Sequence, residues 1–266
     1  MTKSLKKYLL LIATVILSVA LAACSTGASV EQIVNKSVES SKNIKSTDFV
    51  ATNSSEILVG EQTQTVENTV TGSLIIDPLT MKATTDVKAQ GQTQTLDLYI
   101  KDGTAYAKST GQDEWVKSSN NNITAQFEGL KKIANSEQIL EFYKKIAKDF
   151  KKTEENGNYV LTYTGNGDQF KELMVAVANA SSGNEVNAEA FNNVDFKNVS
   201  IKLVTTKDFV PVNNEVTMEL ATKNTSTPTT MKVKQNISYS NVNNVKEINL
   251  PDEVKNAKEV NTGTQQ

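Results

Sequence analysis

The chain has 266 residues, a net charge of −2 and 38% hydrophobic residues, enough apolar material for one large or two small cores. It has no histidine and a single cysteine, and all 28 basic residues are lysine. The usual near-neutral acid/base, the planar guanidinium that grips phosphate and the tetrahedral zinc set are thereby excluded, which leaves calcium, held by carboxylates and carbonyls, as the metal to consider.

Residues 1–23 read as an export signal. Lys3, Lys6 and Lys7 precede an apolar run from Tyr8 to Ala20, and Ala22 and Ala23 are small residues of the kind a signal peptidase accepts. The apolar span from Tyr8 to Ala23 is 16 residues, short of the roughly 20 a bilayer-spanning helix needs. Leu21-Ala22-Ala23-Cys24 resembles the bacterial lipobox, in which the cysteine thiol receives a diacylglyceryl group and becomes the first mature residue. Two acyl chains hold a protein to a bilayer where one leaks off. The expected location is therefore the outer face of the cytoplasmic membrane, and the covalent lipid on Cys24 is the only non-protein group expected, with no other cofactor. Removing residues 1–23 takes away three lysines and no acid, moving the net charge from −2 to −5, which argues against a nucleic-acid partner.

Residues 24–29 form a short tether. From Cys24 to Val30 it reaches at most about 20 Å, so the folded part is expected close to the headgroups. Val30, Ile33, Val34 and Val38 then lie on one stripe of a helix predicted to run to about Lys45. From Thr47 to Ser118, short alternating runs rich in threonine and valine predict antiparallel strands. The clearest is the hairpin of Leu96-Leu98-Ile100 and Ala105-Ala107 about Asp102-Gly103, because both central positions of that turn require positive φ. GEQTQT at Gly60 and GQTQT at Gly91 read as two polar hairpin turns.

Residues 121–152 are predicted helical in two pieces: Ile123, Phe127, Leu130 and Ile133, then Ile139, Phe142, Tyr143, Ile146 and Phe150. Asn158 to Thr164 is a strand. Asp168 then caps a helix bearing Phe170, Leu173, Met174 and Val177, and Asn179 to Asn193 is a loop. Strands return at Val199-Ile201-Leu203, Val216-Met218-Leu220 and Met231-Val233-Gln235-Ile237-Tyr239, and after Pro251 the chain is polar with nothing to bury. Strands on both sides of the helices share one alternation with no linker between them. The expected organisation is signal peptide 1–23, tether 24–29, one α+β domain 30–250 with a single sheet completed by both ends of the chain, and a polar tail 251–266.

The lipobox, VEQIVNKSVESSKNIKSTDF, LYIKDGTAYAKSTGQDEWVKSS and KLVTTKDFVPVNNEVTMEL followed by ISYSNVNNVKEINLPDEVKNAKEV resemble an uncharacterised family of Gram-positive lipoproteins with a LolA/LppX-like fold. The resemblance implies a single strongly curved antiparallel β-sheet, a half-barrel, with helices packed on its concave face and an apolar cavity between. Better-studied relatives of that type carry lipids or lipoproteins across an aqueous gap. This chain lacks the arginine the LolA type uses.

The candidates for lining a cavity for a lipid or other apolar small molecule are Trp115, Phe127, Leu130, Phe142, Ile146, Phe170, Met174, Val177 and Met218, since acyl chains need a continuous dry surface. Plain core packing gives the helix positions the same periodicity, and Trp115 reads also as a core or rim anchor. GNGDQ at Gly165 lacks the alternating acids of a calcium loop and reads as a turn and helix cap. No phosphate loop, nucleophile elbow or metalloprotease helix occurs, and a catalytic metal or enzymatic activity is not expected. Two further readings remain: an interaction or sensor module with a filled core and a protein or cell-wall partner in the envelope, and a signalling role for the released peptide containing VILSVALA.

Overall fold

A computed structural model describes residues 27–89, 91–119, 137–165, 167, 170–171, 173–175, 193–223 and 229–260. The readings made for residues 1–26, including Cys24, for the first helical piece with Phe127 and Leu130, for the Asp168 cap, for Val177 and for the 261–266 end lie outside these.

Helix α1 spans Val30–Lys42 and is closed at its start by a capping box: Gln32 N–H donates to Ser29 Oγ at 3.1 Å, and Ser29 N–H donates to Gln32 Oε1 at 2.8 Å. Ser29, read as the last tether residue, is therefore the N-cap. The helix stops three residues short of Lys45 because Asn43 bonds back to the Ser40 and Ser41 carbonyls and the chain then turns into strand.

Strands β1 (Ser46–Val59), β2 (Gln62–Ile75), β3 (Thr80–Ala89), β4 (Gln92–Lys101), β5 (Thr104–Ser109) and β6 (Val116–Ser118) form an antiparallel meander. Gly60 (φ 60°) heads the two-residue turn between β1 and β2, and Asp102 (φ 51°) with Gly103 (φ 73°) makes the expected β4–β5 turn. Helix α2 (Glu137–Ile146) and a 3-10 turn over 147–149 lead to β7 (Lys151–Glu155) and β8 (Asn158–Gly165). The helix read through to Lys152 thus ends earlier. KKTEE is a strand, paired with β8 about Asn156-Gly157, both at positive φ, a turn dipeptide that the helical periodicity of the preceding residues had masked. Strands β9 (Val194–Thr205), β10 (Pro211–Thr222) and β11 (Thr229–Ser240) complete a second meander.

The two meanders join through β1 and β11 over 12 residue pairs, from Asp48↔Ser240 to Val59↔Thr229. The result is one open, curled 12-stranded sheet in the order β12-β6-β5-β4-β3-β2-β1-β11-β10-β9-β8-β7, of the α+β class, completed by both ends of the chain as the alternation predicts. All neighbours are antiparallel except β12 (Lys258–Glu259), which runs parallel to β6. Both edges are poor templates for further strands: β12 has two residues and β7 is KKTEE.

The region after Pro251 corrects an expectation. Residues 241–260 form a strap across the sheet face opposite the helices. Asn243 N–H donates to the Ser46 carbonyl at 2.8 Å, Lys101 Nζ donates to the Ile248 carbonyl at 3.2 Å, and Lys258 N–H donates to the Trp115 carbonyl at 2.9 Å. Val254 and Ala257 are buried against Trp115, with Tyr99, Tyr106 and Leu250 around them. Two small apolar residues in a polar tail carry no periodic signal, yet a turn of 3-10 helix over Asp252–Asn256 brings them to one side.

Gly72 marks a close approach between strands of the sheet. It stands directly opposite Phe49, whose ring covers it, and a Cβ there would lie 2.4 Å from the Lys82 carbonyl oxygen and 2.9 Å from Phe49 Cζ. Because the nearer atom is backbone, neighbouring strands would have to shift. Gly72→Ala is expected to lower stability by about 1–3 kcal/mol, read as a lower urea midpoint with an unchanged denaturant slope. An unchanged midpoint would show that the strands yield freely.

Candidate functional site

The two faces of the sheet follow from register. Directly opposed residues in adjacent strands project from the same face, so one row can be traced as Leu161, Leu203, Asn214, Ile237, Ala51, Val70, Thr85 and Leu96. The neighbouring row runs Tyr163, Ile201, Val216, Gln235, Asn53, Asn68, Val87 and Gln94. This is the face the helices pack on: Val30, Ile33 and Val34 of α1 and Phe142, Ile146 and Ala147 at α2 share one cluster with Leu161, Val199, Ile201 and Leu203. Further along it, Ala51, Val70, Ala83 and Ile237 form a second cluster flanked by Phe49 and Tyr239.

Charge divides cleanly across this sheet. From Thr47 to Ile57 of β1, across β2, β3 and β4, and along Val199–Thr205, Asn214–Leu220 and Met231–Tyr239, every residue of helix-side parity is uncharged. The acids and lysines of these strands take the other parity, and several pair there. Lys232 Nζ lies 3.7 Å from Glu56 Oε1 and Lys234 Nζ lies 3.2 Å from Glu215 Oε1, while Thr84 and Thr95 hydroxyls donate to Asp97 and Asp86, each at 2.6 Å. Such exposed pairs add little stability individually. What matters is that a lysine or carboxylate on the other face would lose its hydration without a partner.

The sequence-predicted residues divide accordingly. Phe142, Ile146 and Phe170 come together in the first cluster, where the Phe142 and Phe170 rings meet edge-on at 4.9 Å, and Met218 packs against it from β10. Leu173 packs there too, while Met174 beside it is half-buried. Trp115 does not join them. It contacts Tyr99 at 5.7 Å between ring centroids, and Tyr99 stands opposite Lys82 and Tyr106 on the charged face, so Trp115 anchors the strap on the side away from the helices. Phe127, Leu130, Val177 and Cys24 lie outside the described residues.

Residues not singled out in the sequence carry the polar character of the helix-side face. Asn53 Nδ2 donates to Asn68 Oδ1 at 2.8 Å, and Gln235, directly opposite Asn53, is buried. Asn214 is 3% exposed, and neither its Oδ1 nor its Nδ2 has a hydrogen-bond partner. Parity was a usable signal: Asn214 falls in step with Val216, Met218 and Leu220, and Gln235 with Val233 and Ile237. Burial raises the Tyr239 phenol above its ordinary value.

Near the end where α1 begins, Lys152 Nζ donates to the Ala28 carbonyl at 2.9 Å, fixing the segment before the helix. Tyr159 and Phe209 stack at 5.9 Å with Lys207 Nζ 3.9 Å over Tyr159 and Lys36 Nζ 4.9 Å over Phe209. The Lys207 hydrogen bond, at 2.5 Å, holds the exposed Glu154 carboxyl below its usual range. Among the described residues no three of His, Cys, Asp and Glu gather as metal ligands, and no helix is long and apolar enough to cross a membrane.

Fold and face together define an α+β protein built on one large open sheet whose helix side is uncharged over β1–β4 and the central parts of β9–β11. Residues 29–259 match a family of unknown function, DUF6612, and the chain belongs to that family. No curated protein matches it. Solved structures similar to it include the ywiB protein from Bacillus subtilis, at 7% identity over 74% of this chain and 96% of that one with a TM-score of 0.19. A beta-barrel-like protein of the DUF1849 domain from Brucella abortus is similar at 7% identity over 74% and 99% with a TM-score of 0.23. A DUF1329 family protein from Desulfovibrio piger is similar at 10% identity over 82% and 93%, also with a TM-score of 0.23.

Because Trp115 is the only tryptophan, its fluorescence reports the strap alone. Val254→Asp is expected to shift its emission to the red while the far-ultraviolet circular dichroism is kept. An unshifted spectrum would mean that the strap does not shield the indole.

Proposed function

We propose that the chain is a lipid-anchored, extracytoplasmic and non-catalytic protein that holds a lipid or other apolar molecule between its sheet and its helices. The observation that carries this reading is the charge-free face, which extends over β1–β4 and β9–β11, whereas the described helices cluster at β8–β10. A continuous uncharged wall suits an acyl chain, which can meet no unpaired polar charge along its length. The resemblance of the lipobox and strand blocks to lipoproteins with a LolA/LppX-like fold supports the same reading, with Cys24 as the acylated residue. The lack of histidine is consistent with binding rather than acid/base chemistry. The capped start of α1 at Ser29, held by Lys152 through Ala28, would keep the folded part within about 20 Å of an anchor at Cys24.

One experiment tests anchor and cargo together. Expressed in a Gram-positive host, the Cys24→Ala chain is expected in the culture medium where the parent stays with the membrane. Its organic extract, now free of any covalent lipid, is expected to contain an amphiphile near equimolar amount. Membrane retention of the variant would refute the anchor. An extract with no amphiphile would refute carriage and favour the filled-core interaction module.

A further inference from the structure

The geometry points to a second, polar element of the helix-side face: a stripe of carboxamides that recognises the uncharged head of an acylglycerol-type amphiphile. The inference rests on the carriage reading above and adds the class of head the face accepts.

Four amide side chains occupy adjacent strands in the order β10, β11, β1, β2. Gln235 is directly opposite Asn53, and Asn53 is directly opposite Asn68. Asn214 is the diagonal neighbour of Gln235, since Asn214 pairs with Ile237 and Val216 with Gln235. At ~4.8 Å between strands the stripe is ~14 Å long. Its Asn214 end adjoins the cluster beneath the helices through Leu203 and Val216, and along β11, β1 and β2 it borders the cluster around Ala51, Val70 and Ile237.

Within it, Asn214 is buried with both amide atoms unpaired, an arrangement that costs the full desolvation of a donor and an acceptor. An apolar residue at that position would avoid the cost. The Asn53–Asn68 bond uses one donor and one acceptor, leaving Asn53 Oδ1 and the Asn68 amino group on the same face. Carboxamides both donate and accept, which suits hydroxyls and ester carbonyls. A phosphate or carboxylate head would meet no counter-charge from these strands, because every lysine they carry is on the opposite face.

The test uses the full chain in the Cys24→Ala background and three probes: a monoacylglycerol, the lysophosphatidic acid that differs from it only by the phosphate, and pyrene as an apolar probe with no head. The parent is expected to bind the monoacylglycerol at least about tenfold more tightly than the lysophosphatidic acid. Asn214→Leu is expected to weaken monoacylglycerol binding about tenfold, the scale of lost buried hydrogen bonds. It should leave pyrene affinity within about twofold and the melting temperature unchanged or raised. Gln235→Met, nearly the same shape, serves as the second variant and is expected to act in the same direction. Undiminished monoacylglycerol binding by both variants, or a parent that prefers the phosphate, would overturn the amide stripe while leaving carriage standing. A fall in pyrene affinity and melting temperature together would mark Asn214 as structural and overturn it likewise. Binding of none of the three probes would overturn carriage itself, and the head recognition with it.

Discussion

The fold depends on a single constraint, that no charged side chain of the central strands may face the helices. Alternation with a period of two, carried through long hairpins and interrupted in the β9–β10 pairing by register shifts at Pro211/Asn213 and Glu219/Leu220, enforces it: one residue of register error in β1 would exchange Ala51 for Val50 and Thr52 and bring Asp48 and Glu56 inward. The 14-pair register of β1 with β2 and the 12-pair register of β1 with β11 make such a slip a concerted failure of several strands. The two-residue turns set the register locally, and the buried face penalises alternatives.

The same constraint explains how one sheet is made from two meanders separated by the helices. Neither meander alone covers its apolar side. Joined at β1 and β11, they offer a surface wide enough to seat α1, α2 and the helical residues around Phe170 at one end. On the other face, the strap over residues 241–260 ties the start of β1, the end of β4 and the short β6 together through backbone and lysine hydrogen bonds. It also buries Trp115, so that the sheet carries apolar anchors on both sides but with different tasks.

Much of this was legible in the sequence. The alternation of LDLYIKDGTAYAKS located a hairpin with its turn, and the apolar spacing of Phe142 and Ile146 marked residues that do meet in the core. The boundary of α2 was not legible, because Phe150 continues the helical spacing while the Asn156-Gly157 turn recruits KKTEE into a strand. Trp115, read both as an anchor and as a cavity candidate, is an anchor, and its face was not legible. A large aromatic residue near a strand signals burial but not which face, and the partners that decide it, Val254 and Ala257, are some 140 residues away. Asn214 and Gln235 were legible by parity yet hidden by type, since polar residues on an apolar face register only when the pairing is known.

The carboxamides Asn53, Asn68, Asn214 and Gln235 lie on this same uncharged face. The most direct test of the charge-free face compares lysine at two adjacent positions of β2. Val70 is buried on the helix side, and Thr71 is exposed on the other. Val70→Lys is expected to lower the unfolding free energy by roughly 3 kcal/mol or to prevent folding, and Thr71→Lys to change it by no more than about 0.5 kcal/mol. Equal, small effects of the two substitutions would contradict the account.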